Sequence, residues 1–319
     1  MMARQTFRPL DGVLLFDKPI ELSSNDALQI VRRLFKAQKA GHTGTLDPLA
    51  TGLLSVCFGE ATKFSNALLD ADKTYRALLQ LGKTTTTGDA EGDVVSEHPV
   101  DINRSDVDIT LARFRGEIQQ LPPMHSALKH HGKPLYEYIR NGETIARELR
   151  SVVIHELTLN GFNGNQVDIT VLCSKGTYIR TLAEDIGASL GCGAYLAGLR
   201  RTAIAHFDLD NGHNLQQLET MTEAERDALV LPTENLMPDM PVLELDTGQI
   251  NRLAQGQRLG LDTGLPDGKI RLHGPQGFVG VGLLQGRRLS PDRLLSGVAI
   301  QAAKSGPAGN IIGVEQDPR

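Results

Sequence analysis

Apolar positions along the chain change period several times, and each change marks a different kind of element. Gly12-Val13-Leu14-Leu15-Phe16-Asp17-Lys18 is a near-continuous apolar run stopped by Pro19, which predicts a buried strand. Ala27, Ile30, Val31, Leu34 and Phe35 then keep the i, i+3, i+4 spacing of an amphipathic helix over about 25–37, with Ser23 or Ser24 as its N-cap. A strand over 53–58, a short helix over 61–69 and a strand over 74–81 follow. Between Gly116 and Arg150 the pattern breaks around Pro122-Pro123 and His130-His131-Gly132-Lys133-Pro134, with one helical patch at 135–140 closed by Asn141-Gly142. This stretch reads as a protruding insertion, about 121–150. Alternating strands near 151–160 and 166–174 lead through Ser174-Lys175-Gly176-Thr177 into an amphipathic helix that ends at Gly191 and carries Arg180 in its first turn.

A strand-like run over 194–207 and an acidic helical stretch to about Asp239 complete a first domain, 1–240. The mixture predicts an α+β domain: a mixed or antiparallel sheet with flanking helices. Pro232, Pro238 and Pro241 mark a linker. Beyond it, short apolar segments such as Lys269-Ile270-Arg271-Leu272 and 278–284, separated by Gly and Asp, predict a small C-terminal β-barrel over 241–303. Residues 304–319 are Gly-rich and polar, and are expected to be a disordered tail.

With 319 residues and 40% apolar content, the chain can fill one large core and one small one. No apolar run approaches the ~18 residues that span a bilayer, and the N-terminus lacks signal-peptide order, so a cytoplasmic protein with no membrane partner is expected. Cys57, Cys173 and Cys192 form no CxxC pair, which argues for buried packing rather than a disulfide or zinc site. The net charge of −5 is uneven: between Glu219 and Asp246 eight acids face one base, Arg226, leaving the remainder slightly positive. Arg32, Arg33, Lys36 and Lys39 form one basic cluster, and Lys129, Lys133, Arg140, Arg147 and Arg150 another, either of which could face phosphates.

Candidate chemistry concentrates in Gly41-His42-Thr43-Gly44-Thr45-Leu46-Asp47-Pro48-Leu49-Ala50-Thr51-Gly52, a loop that holds one carboxylate, Asp47, in a backbone constrained by glycines and a proline. Taken alone, an Asp before Pro is more often a turn former than a catalyst. Competing motifs fail. Gly82-Lys83-Thr84 lacks the phosphate-loop glycine, since position 77 is Ala; no dinucleotide fingerprint follows a strand; His130 and His131 are adjacent rather than i, i+4. Neither a metal nor an organic cofactor is expected.

Five blocks in order change the odds: Gly12–Pro19, the Gly41–Gly52 loop, Lys73-Thr74-Tyr75-Arg76, Ser174-Lys175-Gly176-Thr177-Tyr178-Ile179-Arg180-Thr181, and Leu199-Arg200-Arg201. Together they resemble the TruB-type tRNA pseudouridine synthases, which isomerise uridine 55 in the TΨC loop of tRNA. The resemblance implies the pseudouridine-synthase sheet domain, an RNA-binding thumb over the insertion and a PUA-like C-terminal module. It implies that Asp47 is the catalytic carboxylate, that Arg180 pairs with it, and that Tyr75 packs on the target base and takes part in proton transfer. His42 would stand beside the displaced nucleotide and Leu199 would line the pocket. Lys18, Lys129, Lys133 and Tyr178 are placed with them as substrate-binding residues, Lys18 also bracing the active-site loop with Pro19. The implied partner is the tRNA T arm, bound by a monomer. Two alternatives stay open at this point: a synthase dependent on a guide RNA or accessory proteins, and a tRNA-folding factor without catalysis.

Overall fold

The computed structural model describes residues 6–126 and 128–297, and the 304–319 tail lies outside them. Among the described residues, two compact units divide between Leu231 and Pro232, the first of the three linker prolines.

The first unit is built on a ten-stranded mixed sheet. From one edge its order is His213–Asn214, Gly12–Lys18, Ala50–Phe58, Ala194–Ile204, Lys73–Leu81, Gln166–Cys173, Arg150–Asn163 and Gly116–Gln120, with Ala40–His42 and Phe207–Asp208 paired off this path. Two pairings are parallel, Gly12–Lys18 with His213–Asn214 and Ala50–Phe58 with Ala194–Ile204; the rest are antiparallel. Side chains alternate along Lys73–Leu81, so Ala77, Leu79 and Leu81 are buried while Arg76 is exposed. Against those inward residues the helix Ile179–Ser189 packs Ile179, Leu182, Ala183 and Ile186. Its packing fixes where the helix starts, and hence where Arg180 points.

A second core joins Ala27, Leu28 and Val31 of the helix Ser24–Leu34 to Leu14, Phe16, Leu54, Val56 and Phe58. This helix ends earlier than its apolar spacing predicts. Lys36 adopts a left-handed backbone, φ 53°, and Arg32 donates from Nε and Nη2 to the carbonyls of Ala37 (3.1 Å) and Gln38 (2.9 Å). The basic cluster is also less available than expected, because Lys36 pairs with Glu223 at 2.6 Å; Arg8, outside the cluster, pairs with Glu223 and Asp227. The acidic helix Glu223–Ala228 neutralises part of the positive face.

Two regions of weak periodicity fold as well: a hairpin of Lys83–Thr85 and Val94–Glu97, and the helix Arg104–Ala112 with an Asn103–Asp106 capping box. The hairpin loop is tied to the main sheet by backbone bonds from Ala90 N to Leu196 O and Leu196 N to Gly88 O, each 3.0 Å. The insertion rises between Gly116–Gln120 and Arg150–Asn163 and carries the two-residue strands Lys129–His130 and Lys133–Pro134, then the helix Leu135–Arg140.

The second unit is a five-stranded sheet in the order Val242–Glu244, Gly268–Gly274, Gly277–Gln285, Arg288–Leu294, Leu259–Gly260, with the helix Thr247–Ala254 against its core. Among the described residues this sheet curls into a half-barrel with Val242–Glu244 and Leu259–Gly260 at its two ends, consistent with the expected PUA-like module. No helix among the described residues is long and apolar enough to cross a membrane.

Candidate active site

The Gly41–Gly52 loop is fastened to the sheet at both ends and in the middle. Gly52, φ 100°, pairs with Arg201 of the neighbouring strand, and a Cβ there would lie 2.2 Å from the Arg201 carbonyl oxygen, so only glycine fits. Buried Arg201 sends Nε to the Leu53 carbonyl (2.7 Å) and Nη2 to the Gly44 carbonyl (3.1 Å). Ser24 clamps the residue before the aspartate: its hydroxyl donates to Leu46 O at 2.9 Å and accepts from Leu46 N at 2.7 Å. Ser23 is the helix N-cap, leaving Ser24 free for the loop. The Thr43 N to Ser55 O (3.1 Å) and Ala50 N to Asp47 O (3.0 Å) bonds complete the frame. Asp47 is thus a side chain on a loop whose backbone is held from several directions.

Its carboxylate meets Arg180 at 3.1 Å, Nη2 to Oδ2. The pairing with Arg180 that the resemblance implies is present, yet the guanidinium is shared rather than two-pronged on Asp47. Its Nη1 reaches Oδ2 of Asp89 at 3.3 Å and the Thr87 carbonyl at 3.3 Å, while Nη2 also donates to the His125 carbonyl at 2.5 Å. Arg180 and Asp89 are almost wholly buried, with 6% and 3% of their side-chain surface exposed, whereas Asp47 keeps 43%. The open carboxylate faces solvent and the closed one anchors the cation. Sequence reading missed Asp89 because the only local signal is a glycine-flanked acid, Gly88-Asp89, in a loop of weak periodicity.

Crowding by protein atoms raises the Asp47 pKa above the usual carboxylate range; Arg180 and Lys18 pull it down, and the charge of Asp89 adds to the rise. Burial therefore outweighs the cation here. His42 ends the strand Ala40–His42, and burial together with Arg201 lowers its pKa, which keeps the ring neutral. Tyr75 stands opposite Arg201 on the neighbouring strand, and burial raises the phenol pKa against the pull of that cation.

Asp47, Tyr75, Tyr178, Arg180 and Leu199 line one cavity of about 280 Å³. A second, of about 480 Å³, lies across Asp47 and Arg180 and is lined by His42, Asp89 and His125. Tyr178 is positioned by Gln120, which accepts from its backbone N (3.0 Å) and donates to its carbonyl (3.2 Å). Lys129 and Lys133 lie on the insertion hairpin and line neither cavity; Lys133 Nζ sits 4.8 Å from the Tyr138 ring centroid. Lys18 offers a substrate no surface at all. At 0% exposure it donates to the carbonyls of Pro19 (2.8 Å) and Leu22 (2.6 Å), which leaves it no surface for a substrate contact.

Burial pushes Lys18 down to about 8, against smaller upward pulls from Asp47 and Glu91. Because the folded pKa lies below the unfolded one, the unfolded chain binds more protons above pH 8, and stability rises with pH there. Wild-type unfolding free energy is expected to gain about 2 kcal/mol between pH 8 and pH 10 relative to Lys18→Met, measured by urea denaturation. A flat difference would contradict the buried ammonium.

Among the described residues no cluster of His, Cys, Asp or Glu could hold a metal ion. The family described as "TruB family pseudouridylate synthase (N terminal domain)" matches residues 32–179, "tRNA pseudouridylate synthase B C-terminal domain" matches 180–238, and "Pseudouridine synthase II TruB, C-terminal" matches 241–295. The chain is 52% identical to a tRNA pseudouridine synthase B of Methylobacillus flagellatus over 92% of its own length and 98% of the relative's. It is 55% identical to one from Azoarcus sp. over 91% and 96%. Among solved structures, a Cbf5–Nop10–Gar1 complex superposes with a TM-score of 0.67 at 25% identity, covering 89% of this chain and 84% of that one. By these matches, which run through the loop carrying Asp47 and the helix carrying Arg180, the chain belongs to the TruB family of pseudouridylate synthases.

Proposed function

We propose that this chain converts uridine 55 in the TΨC loop of tRNA to pseudouridine, acting as a single protein with Asp47 as the reacting carboxylate. One observation carries the reading: a partly open Asp47, aimed by buried Arg180, borders a cavity that also presents Tyr75 and Leu199. The names of the relatives, tRNA pseudouridine synthase B, supply the substrate class.

The reaction breaks the bond from ribose C1′ to N1, turns the base and joins C1′ to C5; C5 loses one proton and N1 gains one. Atoms and electrons balance within the nucleotide, so the chemistry calls for no redox partner. A uridine stacked in the T loop must first be extruded, at a cost of a few kcal/mol. Neutral His42 lines the cavity across Asp47, where it can fill space vacated by the nucleotide. C1′ becomes electron-poor as N1 departs, and a carboxylate answers that either by bonding to it or by supporting the charge. Both routes need Asp47 ionised; Arg180 favours the carboxylate, and burial, the larger effect, leaves its pKa above the usual range, so the ionised form is reached on the higher-pH side. Tyr75, kept as a phenol by burial, packs on the base and can relay the proton between C5 and N1. Lys129 and Lys133, on the insertion hairpin, would supply contacts to T-arm phosphates.

The test uses the purified chain and a T-arm hairpin labelled with tritium at C5 of the target uridine. Tritium release with one pseudouridine mapped to the position of uridine 55, and no added protein or guide RNA, is the expected result. Release only with added partners, or a product elsewhere in the loop, would overturn the reading.

A further inference from the structure

Two arginines of the sequence blocks, Arg76 and Arg200, take no part in the site described above. They stand directly opposite each other on the antiparallel strands Lys73–Leu81 and Ala194–Ile204. Like charges at directly opposed positions destabilise a sheet, so a local conflict of this kind marks a position kept for another purpose. Each guanidinium is held by its own carboxylate. Arg76 makes a two-pronged contact with Asp168, Nε to Oδ1 at 3.1 Å and Nη2 to Oδ2 at 2.6 Å, and Asp168 is itself fixed by Asn160 at 3.0 Å. Arg200 meets Asp17 at 2.7 Å through Nη2 and the Thr51 hydroxyl at 3.2 Å through Nη1. Both stay open to solvent, with 63% and 43% of their side-chain surface exposed.

Between them lies a groove of about 360 Å³. Its apolar lining comprises Leu78, Ala197, Gly198, Ile20 and Leu49, and Leu199 is shared with the Asp47 cavity. Ile20 is more than half exposed, although it is a large apolar residue. Apolar surface rimmed by two oriented guanidiniums fits a nucleic-acid strand: bases pack on the apolar lining, while phosphates meet the guanidinium N–H groups that the carboxylates leave open. Leu199 lines both this groove and the Asp47 cavity, which sets the groove beside the reacting nucleotide.

We propose that this groove binds the RNA strand flanking the target uridine, with Arg76 and Arg200 each contacting one phosphate and Asp168 and Asp17 orienting them. The proposal rests on the reading that the substrate is a tRNA T arm. Asp168 and Asp17 offset the repulsion between the facing guanidiniums in the free protein and leave both exposed for an incoming phosphate.

The experiment measures dissociation constants of a T-arm hairpin for the wild-type chain, Arg76→Gln, Arg200→Gln and Arg104→Gln across a salt series. Arg104 lies on the exposed helix Arg104–Ala112 and serves as a control for charge alone. Arg76→Gln and Arg200→Gln are each expected to weaken binding roughly three- to tenfold at low salt. Each should also lower the slope of log affinity against log salt by about 0.7–0.9, the signature of one lost phosphate contact. Arg104→Gln should leave the slope unchanged. Slopes for Arg76→Gln and Arg200→Gln that match wild type, or that match a shift seen in Arg104→Gln, overturn the proposal. A wild-type chain that shows these slopes but forms no pseudouridine in the same hairpin would instead overturn the function proposed above, leaving the groove as an RNA site.

Discussion

Replacing Asp47 with Asn is expected to lower pseudouridine formation by roughly ten-thousand-fold or more while leaving hairpin affinity within a few-fold of wild type. Asn keeps the shape and the hydrogen bond to Arg180 but can neither bond to C1′ nor neutralise charge developing there. Single-turnover tritium release together with a binding isotherm separates the two effects, and appreciable turnover in Asp47→Asn would remove the catalytic assignment. Wild type carries a related signature. Because burial places the Asp47 pKa above the ordinary carboxylate range, and the carboxylate is the active form, the rate should fall as pH drops through a midpoint above that range.

Arg180→Leu is expected to cost both activity and stability, and here the loss of stability is the informative part. The substitution leaves Asp89, 3% exposed, without its cation and with only Thr87 and the Glu91 backbone N as donors. Removing one partner of a buried ion pair typically costs about 3–5 kcal/mol, so the unfolding midpoint should drop markedly. Asp47 would then face Asp89 with less positive charge, and its pKa would rise further. Any residual activity should therefore show its acid limb at higher pH than wild type. A double variant, Arg180→Leu with Asp89→Leu, should recover part of the stability but not the rate. If Arg180→Leu folded as stably as wild type with an unmoved acid limb, the Asp47–Arg180–Asp89 arrangement would have no energetic meaning.

Most of the sheet domain was legible because its strands and its two main helices, 24–34 and 179–189, carry strong apolar periodicity. The Lys83–Glu97 hairpin and the helix Arg104–Ala112 were not, since the former buries only Thr85, Gly88 and Asp89 and the latter only Val107, Thr110 and Leu111. Asp47 stood out through its glycines and Pro48. Asp89 did not, because its value comes from Arg180, 91 residues later in the chain. Lys36 read as an exposed cation, yet Glu223 neutralises it from a distant helix. Lys18 read as a substrate contact as well as a brace, and only the packing around it shows that no surface remains.

The sequence by itself determined the α+β class, the glycine- and proline-constrained loop that holds Asp47, and the family to which the blocks belong. Those features rest on local physics: side-chain period, backbone sterics and residue identity at fixed spacing. The tertiary structure alone decided how Arg180 is divided between two carboxylates, that burial overrides it in setting the Asp47 pKa, and that Arg76 and Arg200 meet across two strands. Each of these depends on distances between residues far apart in the chain, and electrostatic energy follows distance and burial, which residue order does not specify.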